Sequence, residues 1–132
     1  MEENRLTFKE MCAKFDVTPR TLRFYEDKEL LSPIREGQKR LYTKREVGRM
    51  SWICHGKRFG FALEEIRELL DLYYLGDQQE TQLKRTYDVG LKHLATLKDK
   101  KEELTNSIAD LEDLLGQCKD IIDNLPLKAA AE

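Results

Sequence analysis

The chain is poor in the features that mark a secreted, disulfide-bonded or membrane-spanning protein. It has three cysteines, Cys12, Cys54 and Cys118, an odd number at wide spacing that does not fit a disulfide framework. No apolar run approaches the roughly 20 residues of a membrane span, and the acidic start of the chain lacks the apolar segment of a secretory signal. We therefore expect a reducing, cytoplasmic setting and no membrane partner.

Signals for catalysis and metal binding are also scarce. The chain has two histidines, His55 and His93, and it lacks a glycine-rich phosphate loop and a Ser/His/Asp arrangement. Cys118 has no cysteine nearby, and His93 lies about half a helix away, so the usual tetrahedral and two-coordinate metal sites cannot be assembled there. We expect no enzymatic activity, no metal and no cofactor, and we interpret Cys118 as a small hydrophobic residue.

The net charge of −2 hides an asymmetry between the two halves of the chain. Residues 1–60 contain 14 Lys and Arg against 9 Asp and Glu, whereas residues 61–132 contain 9 against 16. A basic first half followed by an acidic second half indicates that the first half meets a polyanion. The alternative is a chance fluctuation on a solvated surface.

Capping signals predict two short helices near the start of the chain. Thr7 and Glu10 fit a capping box, in which each side chain serves a backbone N–H group of the other's turn. Thr18 and Pro19 supply an N-cap and a first helical residue whose missing N–H costs nothing. The three-residue link 16–18 then gives a helix-turn-helix.

The next segment predicts a small two-stranded wing. Residues 34–35 and 40–42 are short strand candidates, and residues 36–39, which include Gly37, form a plausible hairpin loop. The wing is the hairpin of residues 34–42.

Two further helices follow the wing. Thr43 and Glu46 form a second capping box, which predicts a helix over residues 44–59 that Gly60 ends. Another helix is predicted over residues 63–73, with its inward face formed by Leu63, Ile66, Leu69 and Leu70.

The last predicted helix carries a coiled-coil heptad pattern. Residues 80–125 contain no proline, and nine of the ten seam positions from residue 94 onward are apolar, counting cysteine. A helix of this length needs a partner for its seam, most simply a second copy of the chain. The alternative is a helix that folds back on its own domain. The a positions are Leu94, Lys101, Ile108, Leu115 and Ile122, and the d positions are Leu97, Leu104, Leu111, Cys118 and Leu125. The lysine among them interrupts the stripe and is expected to set register or orientation.

Arginine and tyrosine on both the helix-turn-helix and the wing predict a surface for DNA phosphates and base edges. Arg20, at the exposed start of its helix, is the candidate for a base edge, while the other residues suit phosphates or, for threonine, a thymine methyl group. Each residue alone has an ordinary alternative, as a solvated arginine or a core tyrosine, so the clustering carries the interpretation. The candidates are Thr18, Arg20, Thr21, Arg23 and Tyr25 on the helix, Arg35, Lys39, Arg40 and Tyr42 in the wing, and Lys57 and Arg58 at a second basic corner.

Three ordered motifs resemble the MerR family of bacterial transcription regulators. They are TPRTLRFYEDKELLSP at residues 18–33, RLYT at residues 40–43 and GFALEEI at residues 60–66. The resemblance implies a mainly α protein: a winged helix-turn-helix DNA-binding head and an antiparallel coiled-coil homodimer. It implies binding of double-stranded DNA at a promoter inverted repeat, which the protein bends and untwists for RNA polymerase, in the nucleoid. By motif, the implied DNA contacts are Arg20, Arg23, Tyr25, Arg35, Arg40 and Tyr42.

The same resemblance implies a domain organisation. Residues 1–75 form the head, 76–79 a linker, 80–125 the dimerisation helix and 126–132 a flexible tail. Only seven residues follow Leu125, too few for a drug-binding domain. The run of residues 56–73 resembles a subgroup without an effector domain that is associated with branched-chain amino acid and acyl-CoA breakdown.

Two other functions remain open at this point. One is a coiled-coil adaptor whose basic head binds protein or RNA. The other is a redox-sensing regulator switched through Cys54, since His55, Lys57 and Arg58 are close in sequence and positive charge lowers a thiol pKa.

Overall fold

The computed structural model describes residues 5–73 and 76–126. Within them the protein is mainly helical, with one small sheet, as the sequence predicts. The predicted tail lies outside the described residues beyond Pro126. The elements are β1 (Leu6–Thr7), α1 (Phe8–Phe15), α2 (Pro19–Asp27), β2 (Ile34–Glu36), β3 (Lys39–Tyr42), α3 (Lys44–Phe59), α4 (Leu63–Leu72) and α5 (Glu80–Asp123).

The first two helices begin where their caps predict. The Thr7 N–H donates to Glu10 Oε1 over 2.8 Å, and the Glu10 N–H donates to Thr7 Oγ1 over 3.2 Å, which completes the capping box. The Thr21 N–H donates to Thr18 Oγ1 over 3.1 Å at the start of α2. Asp16 adopts a left-handed conformation, with φ of 53°, and turns the chain between α1 and α2. The predicted helix-turn-helix is therefore confirmed.

The second predicted capping box forms only in part. The Glu46 N–H donates to Thr43 Oγ1 over 3.5 Å, but the Glu46 carboxylate does not return to the Thr43 backbone. It accepts from the Ser32 N–H over 2.7 Å and pairs with Arg45 over 2.9 Å. Glu46 is buried, with 2% of its surface exposed, so its carboxylate needs polar partners. The bond from Ser32 supplies one of them and ties the loop before the wing to α3.

The wing belongs to a three-stranded antiparallel sheet of order β1-β3-β2, so the prediction of two strands was incomplete. β1 pairs with the other edge of β3, with Leu6 opposite Tyr42 and Thr7 opposite Leu41. Two residues are too few to show a strand's alternating pattern, which is why the sequence did not reveal β1. The hairpin turns at Gly37, which has φ of 62°.

The hydrophobic core lies among α1, α2, β3, α3, α4 and the start of α5. It includes both tyrosines predicted as DNA contacts, Tyr25 and Tyr42, which are 6% and 0% exposed. Its buried members are Met11, Leu22, Tyr25, Leu30, Leu31, Tyr42, Met50, Ile53, Phe61, Ile66, Leu69, Leu70 and Val89.

Helices α3 and α4 approach closely at a glycine. A Cβ at the buried Gly56 would lie 2.8 Å from Ile66 Cγ1, so only glycine fits at this contact. Gly60, with φ of 91°, ends α3 at the predicted position. The inward face of α4 is confirmed at Ile66, Leu69 and Leu70, whereas Leu63 is half-buried.

The chain divides into two compact units, one ending at His93 and one beginning at Leu94. The first unit includes the start of α5, where Gln82 and Val89 are buried and Gln82 Nε2 donates to the Leu69 carbonyl over 2.7 Å. His93 Nε2 lies 2.9 Å from Glu65 Oε1.

In the second unit α5 continues as helix to Asp123, two residues short of the predicted end. Its side chains are exposed throughout. Within the described residues, the helices are too short or too polar to cross a membrane. The division into domains at residues 75 and 80 stays a prediction.

Candidate nucleic-acid interface

The start of α2 presents the predicted helix contacts. Arg20 and Arg23 are exposed, and Thr18 is exposed at the N-cap. The Thr18 hydroxyl donates to Thr21 Oγ1 over 3.0 Å, so the hydroxyl hydrogen of Thr21 is the one left for an outside acceptor. Because α2 begins with proline and an N-cap, Arg20 stands in the first turn, at the positive end of the helix dipole.

One buried carboxylate, Glu26, joins α2 to the wing. Its side chain is 6% exposed, and Oε1 lies 3.1 Å from Arg40 Nε and 3.9 Å from an Arg35 guanidinium nitrogen. The Tyr42 hydroxyl donates to Glu26 Oε2. Three of the four predicted wing contacts thus converge on one acid of α2, which offsets the cost of burying its charge.

The ring of Phe8 provides a second link between the two elements. The guanidinium carbons of Arg23 and Arg40 each lie 5.2 Å from its centroid, in cation–π contact. The two charges are therefore no farther apart than the sum of these distances. Phe8 and Glu26 together hold basic groups of α2 and the wing in one small patch.

Tyr25 and Tyr42 are buried and do not form part of the surface of this patch. Tyr42 is fully buried and its hydroxyl is used by Glu26. Burial first, and the hydrogen bond to Glu26 second, raise its pKa far above the ordinary value, so the hydroxyl stays protonated. Burial also raises the pKa of Tyr25. Tyr42 thus packs in the core, as in the alternative named above, and its contact with DNA stays a prediction.

The remaining predicted contacts are exposed but less constrained. Lys39 lies in β3 next to the hairpin turn, and Lys57 and Arg58 occupy the last turn of α3. Cations there also suit the negative end of the helix dipole. Within the described residues, the structure records no contact between the second basic corner and the patch on Phe8 and Glu26.

Sequence reasoning missed the two organising residues, Glu26 and Phe8. The available signal for Glu26 was weak, because the segment from Arg20 to Lys28 has two neighbouring acidic residues, Glu26 and Asp27, among its three basic ones. Phe8 fits an apolar helical stripe, a pattern that predicts a core residue and carries no signal for cation–π contacts.

The redox hypothesis loses its physical basis at Cys54. Its thiol is half-buried, and this burial raises its pKa instead of lowering it. Nearby positive residues in the sequence therefore do not activate this thiol. Burial likewise raises the pKa of Cys12, with Arg23 opposing the shift.

The predicted dimerisation residues form a continuous exposed set on the single chain. The apolar seam positions from Leu94 to Leu125 are between 39% and 64% exposed, and Cys118 and Lys101 are exposed as well. Leu125 itself follows the end of α5. No group of three or more metal-ligating side chains occurs in residues 5–73 and 76–126.

Comparison with protein families places two models on the chain. One, described as MerR HTH family regulatory protein, matches residues 6–72, and the other, described as MerR, DNA binding, matches residues 47–114.

Curated proteins match over different lengths. The chain is 42% identical to the HTH-type transcriptional regulator ZntR of Escherichia coli (strain K12) over 65 residues, 48% of this chain and 46% of ZntR. It is 30% identical over 121 residues to the uncharacterized HTH-type transcriptional regulator slr0701 of Synechocystis, covering 90% of this chain and 86% of that protein. The match thus spans about half the length of ZntR.

Solved structures share the fold. HiNmlR, a MerR family regulator lacking the sensor domain and bound to promoter DNA, superposes with a TM-score of 0.71 at 22% identity, covering 92% of this chain and 97% of that one. PbrR691 from Ralstonia metallidurans CH34, in complex with lead(II), gives 0.58 at 33% identity, covering 81% and 82%. With a family model over half of its length and the Synechocystis relative matching nine-tenths of it, the chain belongs to the MerR family of helix-turn-helix regulatory proteins.

Proposed function

We propose that this protein is a transcription regulator that binds a promoter inverted repeat in double-stranded DNA as a homodimer. α2 enters the major groove, the wing contacts the adjacent backbone, and α5 pairs with α5 of a second copy in an antiparallel coiled coil. The protein distorts the DNA between its two heads, at a promoter that RNA polymerase also occupies. It acts in the cytoplasm, on the nucleoid.

The observation that carries this proposal is the patch organised by Glu26 and Phe8. It joins α2, an element of the right width for a major groove, to a hairpin whose arginines are held beside it. An enzyme or an adaptor has no use for a wing fixed to the recognition helix. The full-length likeness to HiNmlR, which was solved on promoter DNA, agrees with this assignment.

Selection of binding sites from fragmented genomic DNA tests the proposal, followed by titration of a selected site in increasing salt. We expect an inverted repeat, and an affinity that falls by about 10³–10⁵ between 50 and 200 mM salt if the dimer contacts six to ten phosphates.

Arg20→Ala is the informative variant in the same assay. It should cost about 1–3 kcal/mol per half-site and relax the preference at one base position. Lys84→Ala, which removes an exposed cation of α5 paired with Glu80, is the matched control and should bind as the unaltered protein does. Binding without sequence preference, or with little salt dependence, would overturn the proposal.

A further inference from the structure

A cavity of about 370 Å³ lies in the first compact unit, among α3, α4 and the residues around the start of α5. Small-molecule sites typically measure about 300–1,000 Å³, so the cavity has a suitable size for one. The described residues that line it include the cations Lys44, Arg45 and Arg49 and no acid. A concave surface with this charge, on a chain whose net charge is −2, favours an anion.

One face of α3 supplies the cations and the aromatic part of the cavity wall. Residues 44, 45, 48, 49 and 52 follow the spacing that places side chains on the same side of a helix. Lys44 is exposed and has no ion-pair partner among the described residues. A Cβ built at Gly48, in the middle of this face, meets nothing within 4 Å. The glycine therefore keeps the cavity open between the cations and Trp52.

Two glutamines form another part of the wall and hold each other in place. Gln82 is 2% exposed, and its Nε2 donates to the Leu69 carbonyl over 2.7 Å, so its Oε1 accepts from Gln79 Nε2 over 3.1 Å. Gln78 and Gln79 have φ of 59° and 68°, in the left-handed region. Two such residues in succession are costly without glycine, and strain of this kind is concentrated at functional sites.

The side chains of the cavity define the class of ligand that it suits. Guanidinium and ammonium groups bind carboxylates through charge-assisted hydrogen bonds. The half-buried Trp52 offers a flat apolar ring, and the buried Leu70 adds to the apolar wall. An inorganic anion would leave the apolar wall without contacts, and a neutral hydrocarbon would leave the cations without an anion. A small organic carboxylate with a flat apolar body uses both parts.

Two of the cations also hold the loop before the wing. Arg45 pairs with one oxygen of Glu46 over 2.9 Å, and the other oxygen accepts from the Ser32 N–H over 2.7 Å. Arg49 Nε donates to the Leu30 carbonyl over 2.8 Å. This loop leads directly into β2. A bound anion that draws the two guanidinium groups towards the cavity therefore weakens the anchors of the wing.

We propose that this cavity binds a small organic carboxylate, with its charge at Lys44, Arg45 and Arg49 and its flat apolar body against Trp52. Binding lowers the affinity for DNA through the loop before the wing, a step that rests on the DNA binding proposed above. The first compact unit then contains both the patch that contacts DNA and the site that regulates it.

Binding of 2-naphthoate, a carboxylate of this class, tests the site. Its neutral carboxamide has a similar shape without the charge. Trp52 is the single tryptophan, so its indole N–H gives one signal in a nitrogen-15 spectrum of the full chain. We expect 2-naphthoate to shift this signal with saturation. The carboxamide should bind about tenfold more weakly, because the charge-assisted hydrogen bonds are lost.

Trp52 also lines a second cavity, of about 400 Å³, and variants therefore locate the probe. The described residues around that cavity are mainly apolar and include neither lysine nor arginine. Lys44→Gln should weaken 2-naphthoate binding about twofold to fivefold, as expected for an exposed ion pair. Gly48→Leu should abolish binding by filling the first cavity, and it should stay folded because leucine favours a helix more than glycine does. Lys119→Gln and Gly116→Leu, both exposed in α5 and outside the cavity wall, are the matched controls and should bind the probe unchanged.

The effect on DNA is measured with the selected inverted repeat at constant ionic strength. Saturating 2-naphthoate should raise the dissociation constant for DNA about fivefold or more in the unaltered chain and in Gly116→Leu, but not in Gly48→Leu. An unshifted Trp52 signal, equal binding of the carboxamide, or binding retained in Gly48→Leu would overturn the site. A bound probe that leaves the DNA affinity unchanged would overturn the regulation alone. Failure to select any DNA sequence without the probe would instead overturn the proposed function.

Discussion

At the scale of single residues, Glu26 decides where the wing stands. Its carboxylate is almost fully buried and receives Tyr42 and two arginines that are themselves partly exposed. A buried acid with several donors is costly to disturb, because removing its charge leaves the donors without their counter-charge. The basic patch thus depends on an acidic residue.

Glu26→Gln preserves shape and removes the charge. We expect the free energy of unfolding to fall by about 1–3 kcal/mol, since hydrogen bonds to a charged group are lost. Urea denaturation measures this. Glu36→Gln is the control: Glu36 is half exposed and lies 3.9 Å from Arg5, so its loss should change stability by less than about 0.5 kcal/mol. Equal midpoints for the two variants would contradict the organising role of Glu26.

The sequence revealed which basic residues belong to the patch, but neither its buried acid nor how the basic groups are held. Arginines on a helix and a hairpin were sufficient to predict a DNA-binding surface. Whether a tyrosine beside them faces DNA or the core depends on tertiary packing, and Tyr42 was therefore assigned to both options. The Glu26 contacts join residues 9 to 16 positions apart, beyond the range of any local pattern.

At the scale of elements, the contact of α3 with α4 requires glycine, a residue without a side chain, at position 56. The buried Gly56 in α3 leaves room for Ile66 of α4, whose side chain is itself 2% exposed and cannot swing out into water. Close packing of this kind resists even one added methyl group.

Gly56→Ala should therefore lower the free energy of unfolding by about 1–3 kcal/mol through overpacking, although alanine favours the helix. Gly48→Ala in the same helix is the matched control, because a Cβ there meets nothing within 4 Å. That variant should gain up to about 1 kcal/mol from helix propensity. Thermal denaturation of both variants measures the opposite signs, and a stabilised Gly56→Ala protein would contradict this account of the contact.

Local chemistry was sufficient to predict most element boundaries. The structure confirms the predicted starts of α1 at Thr7 and of α2 at Thr18, and the predicted end of α3 at Gly60. These positions could be predicted because a cap acts within one helical turn. Glu46 had the right spacing for a capping box, but its carboxylate found the Ser32 N–H in another segment. A competing partner distant in sequence cannot be read from spacing.

At the scale of the whole molecule, the apolar seam of α5 is exposed on the single chain. This seam is the surface through which we propose that two copies assemble. Leu111 is 54% exposed on the single chain, so a polar residue there removes little buried area within one copy. In the proposed dimer the same position is covered, and an unpaired charge would be buried.

Leu111→Asp should therefore abolish dimerisation at micromolar concentrations and leave the head folded. Sedimentation velocity measures the first effect, and near-ultraviolet circular dichroism around Trp52 the second. Asn106→Asp, an exposed position off the seam, is the control and should remain dimeric. A dimeric Leu111→Asp protein would show that the heptad assignment is wrong.

Thr7 gives the proposed complex a mechanical property. As the last residue of β1 it pairs with Leu41 of the wing sheet, and as an N-cap it begins α1. On the other side, Glu26 of α2 contacts Arg40 and Tyr42 of β3 and so joins the sheet to α2. α2 and the wing are thus joined by a closed ring of short contacts, and we expect them to move as one stiff body. If the groove and backbone of a straight duplex do not match the spacing of that body, we expect the duplex, as the softer partner, to bend in the proposed complex.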